Sequence, residues 1–204
     1  MKKYLFFFLL IAKCFTAHCS ADTDTLLIRL KEAIEASPTY DAQKITGINQ
    51  LKASLKTISN DEPLKQFNIN SKLYEEYKTF NYDSAFLYAK KLQESSYRLQ
   101  DNFLITDSKI KLSFILVSAG LFKNAFDSLH SISLKGIPDS TKAAYYSLMG
   151  RYYYDLADYN NDKFYTPDYY QNGNLYMDSA FSYYLPSSFE YAYYKGLRDL
   201  KTGE

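Results

Sequence analysis

From Asp22 onward, apolar residues return every three or four positions with charged residues between them. Leu26, Leu27, Leu30 and Ile34 form the first stripe, separated by Arg29, Lys31, Glu32 and Glu35. Such spacing lays one apolar face along an α-helix. Ser37-Pro38 predicts a stop and restart, with serine as N-cap and proline at the first helical position. Ile45, Ile48, Leu51, Leu55 and Ile58 carry the next stripe, and Asn60-Asp61-Glu62-Pro63 repeats the stop-and-start signal. Further stripes cover 64–80, 82–99, 103–119 and 122–134. Lys135-Gly136-Ile137-Pro138 breaks the series, which resumes over 141–157. No run alternates with period two for long enough to make a strand. The pattern predicts an all-α fold of antiparallel helix pairs joined by short turns.

Residues 1–21 follow a different rule. Lys2 and Lys3 precede nine apolar residues, Tyr4 to Ala12, and then the small and polar run ending in Ala21. That order is a secretory signal peptide, with an apolar core too short to span a bilayer. Cleavage after Ala21 turns 24 basic and 23 acidic residues into 21 and 23. It also removes both cysteines and leaves His130 as the one histidine, so no disulfide framework is available. The expected location is outside the cytoplasm, in the periplasm or cell envelope. A lipid-attached cysteine is the competing start, but Lys13 precedes Cys14 and His18 precedes Cys19, where a small residue is expected. The near balance of charge gives no basic surface for nucleic acid.

Short turns between helices of similar length invite a test for repeats. Leu112-Ser113-x2-Leu116 is followed by Gly120-Leu121-Phe122-Lys123-Asn124-Ala125-x3-Leu129. Leu73-Tyr74-x2-Tyr77 is followed by Asn81-Tyr82-Asp83-Ser84-Ala85-x3-Ala89. Tyr146-x2-Met149-Gly150-x2-Tyr153 supplies a third first helix, and Met177-Asp178-Ser179-Ala180-x3-Tyr184 its partner after an insert at 160–174. The order of parts resembles the tetratricopeptide repeat, a helix–turn–helix unit in which small residues let two helices close and at least three units must stack. The resemblance implies three regions: a signal peptide at 1–21, an N-terminal helix pair at 22–60 capping the stack, and degenerate repeats at 61–204. Pro186 is expected to open a further first helix with no second, as in a truncated last repeat.

More narrowly, the signal-like start, the Asn-Tyr-Asp-Ser-Ala turn and the Arg-Tyr-Tyr-Tyr-Asp-Leu-Ala-Asp-Tyr helix resemble a bacterial family of membrane-anchored regulators. The resemblance implies that this chain is the extracytoplasmic sensor half. The membrane is then met only through an anchor outside the chain, and no nucleic acid touches this part.

Chemistry is mostly absent from the sequence. Without a mature thiol, and with one histidine, neither cysteine catalysis nor a well-founded serine triad is available. No phosphate-binding loop and no Cys/His metal spacing occurs, so neither enzymatic activity, cofactor nor metal is expected. His130 reads as a packing or surface residue. Fifteen of the 22 tyrosines lie from Tyr145 to Tyr194, and many of them are expected to fill grooves between helices. Counting from Gly150, the positions facing a concave groove are Ser147, Arg151, Tyr154 and Asp155. The same count on the preceding unit gives Asp107, Ile110, Phe114, Val117 and Ser118. A guanidinium, a phenol and a carboxylate together can grip a protein, peptide or glycan. Arg151 and Asp155 are equally spaced for an i,i+4 ion pair. The 160–174 insert is expected to form a special loop. Two functions remain open: a non-enzymatic sensor scaffold of a regulator, or a carbohydrate- or peptide-binding surface lipoprotein for nutrient uptake.

Overall fold

The computed structural model describes residues 21–203, and within them eight α-helices and no strand. The signal-peptide expectation falls, apart from Ala21, outside these residues. No helix among them is long and apolar enough to cross a membrane. The chain divides into two units, one ending at Asn49 and one beginning at Gln50.

The first unit holds most of α1 (Ala21–Lys56), a single helix with Pro38 inside it. The expected break at Ser37-Pro38, and with it the helix pair over 22–60, is therefore replaced by one continuous helix. A proline ring removes one i→i−4 bond and crowds the preceding turn, at a cost of about 3 kcal/mol. Here that local penalty does not end the helix. Leu26, Leu27, Leu30 and Ile34 are exposed along it.

The second unit contains α2 (Pro63–Tyr77), α3 (Tyr82–Leu99), α4 (Asn102–Ser118), α5 (Phe122–His130), α6 (Asp139–Asn160), α7 (Thr166–Phe181) and α8 (Phe189–Thr202). Pro63 opens α2 as its first residue, as the sequence predicts. Asn81 and Asp101 cap α3 and α4 with side chains that accept the Ser84 and Leu104 N–H at 2.9 and 3.0 Å. Gly120, at φ +72°, makes the turn into α5 that a side chain would strain. Ser188, rather than Pro186, caps α8 and accepts the Tyr191 N–H at 3.2 Å.

Successive helices pair as α2–α3, α4–α5 and α6–α7, and α4 also meets α3 and α6. Every substantial helix–helix contact in this unit joins helices that are consecutive or one apart in the chain. The alanines that set the repeat register, Ala85, Ala89 and Ala125, are completely buried, as are Leu73, Leu92 and Leu129.

The third pair differs from its prediction. Instead of a loop over 160–174, α6 runs on to Asn160, five residues turn, and α7 begins at Thr166. Asp162 Oδ1 accepts the Phe164 and Tyr165 N–H at 2.8 and 3.0 Å, and Pro167 sits in the first turn of α7. The extra residues lengthen the pair. Gly173, inside the supposed loop, lies directly against the Tyr154 ring: a Cβ there would stand 2.6 Å from Tyr154 Cδ1. Gly150 accommodates Met177 in the opposite sense, with a Cβ 2.8 Å from its Cε.

Candidate functional site

The first helices of the second and third pairs, α4 and α6, lie side by side, and Arg151 spans them. Its Nε donates to Asp155 Oδ2 at 3.1 Å on its own helix. Its Nη2 donates to Ser118 Oγ at 3.1 Å on α4, and the guanidinium carbon lies 4.8 Å from the centre of the Phe114 ring. The i,i+4 ion pair thus forms while the same side chain also reaches α4. The Arg151 and Asp155 side chains remain 26% and 28% exposed, so both can be reached by a ligand. Burial raises the Asp155 carboxyl above its ordinary value, with Arg151 and Lys201 opposing it.

One and two turns back along α4, Lys111 donates to both carboxylate oxygens of Asp107, at 2.7 and 2.8 Å. Lys111 also lies 6.0 Å from the Tyr74 ring, and its carbonyl accepts the Tyr74 hydroxyl at 3.1 Å. The Tyr74 phenol is held well above its usual range, chiefly by burial, then by Glu75 and Asp107, with Arg151 pulling the other way. Tyr74 therefore feels both charged centres of this face. The sequence reading took Tyr74 only as part of a repeat motif and missed Lys111, although Lys111 stands four residues after Asp107, where a helix pairs charges.

Of the positions counted onto the groove, Ile110 and Val117 are buried within α4, and two residues of α6 are enclosed as well. Tyr154 is completely buried, and its hydroxyl donates to Asn174 Oδ1 at 2.6 Å. Burial pushes its phenol up to about 12. Ser147 is likewise enclosed, its Oγ 3.0 Å from the Tyr184 hydroxyl. Counting from Gly150 places both on the correct helix. The lengthened α7 then covers Tyr154, which no count along α6 could show. The structure brings together Phe114, Ser118, Arg151 and Asp155, with Asp107 further along α4, and gives Tyr154 and Ser147 to the core.

Tyr153 stacks on Tyr176 at 5.5 Å, as a groove-filling tyrosine should. His130 stacks on Phe126 with ring centres 3.7 Å apart, consistent with a packing role at the surface.

What the face can do chemically is bind. A guanidinium offers five N–H groups in a fixed fork, and Nε and Nη2 are engaged here by groups a ligand carboxylate or hydroxyl can replace or join.

Residues 34–204 match a protein family described as the SusR N-terminal TPR domain. No curated protein and no solved structure matches the chain.

Proposed function

Because the chain belongs to the SusR N-terminal TPR domain family, a helical-repeat binding domain of a regulator, we propose that it is the extracytoplasmic sensor of a membrane-anchored bacterial regulator. Tetratricopeptide domains are generally non-catalytic scaffolds that bind proteins or ligands. In this reading residues 1–21 direct export and are removed. A peptide, protein or glycan then engages the α4–α6 face.

The observation that carries the site is the Arg151 bridge. A cation held by a hydroxyl and a ring on one repeat and by a carboxylate on the next senses the spacing of the two. A ligand that takes over one of these bonds acts on the contact between neighbouring repeats, on which the stability of a stacked array depends.

The test uses the full-length regulator in its host, with a transcriptional reporter of its output. Arg151→Ala should abolish the response to the inducing stimulus while the isolated domain keeps its helical circular dichroism. An unchanged response would remove Arg151 from the site. Protease added to intact cells with permeabilised outer membranes should degrade the domain, and full protection there would place it in the cytoplasm and end the sensor reading.

A further inference from the structure

At the other end of the second unit, the last turn of α1, the turn after it, α2 and α3 line an open cleft of about 420 Å³. That volume is within the range of small-molecule sites. Three cations line it, Lys56, Lys91 and Arg98, against one acid, Glu94. Several described cations pair with carboxylates, among them Lys111, Arg151 and Arg198. None of these three has such a partner among the described residues. Arg98 instead donates to neutral acceptors, the Asn60 carbonyl and, at 3.4 Å, Gln66 Oε1. Lys91 lies 5.2 Å from the Tyr88 ring.

The wall of the cleft also carries Asn70, 4% exposed, whose Oδ1 has no hydrogen-bond partner. An amide enclosed without a partner is costly, and an apolar residue of the same shape would remove the penalty. The terminal amide torsion of asparagine is soft, so either end can turn toward a bound molecule. Excess positive charge beside an unsatisfied amide is the chemistry of a binding site. An anionic occupant meets the three cations, and a donor on it meets Glu94 and, once the closed-off Asn70 amide turns toward the cleft, its Oδ1. A phosphate presents mainly acceptors to those two groups and fits less well.

We infer that this cleft binds a small carboxylate bearing a neighbouring hydroxyl or amide N–H. It shares no residue with the Arg151 face and does not depend on the function proposed for that face. Two sources offer this chemistry, a free hydroxy acid such as a sugar acid and the C-terminus of a peptide.

Isothermal titration of the purified domain with D-galacturonate and with N-acetylalanine separates them. Saturable binding of either, at least tenfold stronger than that of inorganic phosphate, is expected, and the stronger probe identifies the source. Lys91→Ala should weaken that binding tenfold or more, and raising the salt should weaken it further. Asn70→Leu should abolish binding while raising the thermal midpoint, a combination that a purely structural asparagine would not produce. Should that variant fold poorly, Lys91→Ala alone decides. No saturation by either probe, phosphate binding as strongly, or unchanged affinity in Lys91→Ala would overturn the site.

Discussion

The second and third helix pairs close by different means. Between α4 and α5 the small residue is an alanine on the second helix, Ala125, and α5 needs only nine residues. Between α6 and α7 the small residues are glycines on both helices, and each receives a large side chain from the other: Met177 over Gly150, and Tyr154 over Gly173. The second pair has no tyrosine, whereas α6, α7, the turn between them and the segment beyond carry fifteen. The contrast shows that one register tolerates two kinds of core. One is minimal and aliphatic. The other is lengthened and aromatic, held by reciprocal insertion.

The largest expected effect is at alkaline pH. Burial pushes Tyr145, Tyr152, Tyr154 and Tyr194 up to about 12. In an unfolded chain these phenols ionise near 10, a value about two units lower. The unfolded state therefore loses protons first. The stability they contribute is complete below pH of about 10 and is lost as pH rises toward about 12. Phenolate absorbance should rise together with loss of helical circular dichroism. Hydrogen exchange should show α6–α7 opening before α4–α5, and simultaneous opening would erase the distinction between the pairs.

Next in size is Gly173→Ala. The methyl meets a rigid ring, so overpacking of about 1–3 kcal/mol should outweigh a gain in helix propensity of up to about 1 kcal/mol. Gly150→Ala should cost less, because the methyl meets the flexible end of Met177. Equal losses in thermal unfolding would contradict the difference between ring and thioether. In the other pair, Ala125→Leu should also cost about 1–3 kcal/mol, since Ala125 is fully buried at the helix crossing. A melt without loss would show that α4 and α5 do not close on that alanine.

The smallest expected change has the opposite sign. Gly196 lies inside α8, and a Cβ there meets nothing within 4 Å. Gly196→Ala should stabilise this domain by roughly 0.5–1 kcal/mol through helix propensity alone. Destabilisation would mean that something already covers this face.

The parts read correctly from sequence are those in which local signals and packing agree. Ala85 and Ala125, the Asn81 and Gly120 turns and the Pro63 start each have a short-range physical cause. Helical periodicity also put Phe114, Arg151 and Asp155 near one another, although the same count gave Ser147, Tyr154, Ile110 and Val117, which are buried. Two misreadings have a common origin. Pro38 and the Asn- and Gly-rich 166–174 segment both carry poor helix propensity, a weak preference that context overrides. For Gly173 the overriding contact is known: the absent side chain that lowers its propensity makes room for Tyr154. That same contact buries Tyr154 and removes it from the predicted site.

The restriction of substantial contacts to near neighbours in the chain has a consequence for synthesis. Low sequence separation between contacting helices lets each pair close soon after it leaves the ribosome, without waiting for a distant strand or terminus. The timetable is uneven, however. The α4–α5 pair is complete at His130, while Tyr154 must wait for Asn174, 20 residues later, before its hydroxyl finds its partner. During that interval the aromatic face of α6 stands open to water and to other nascent chains. The lengthened pair that makes the finished core is therefore the stage of greatest exposure to chaperones and to misassociation.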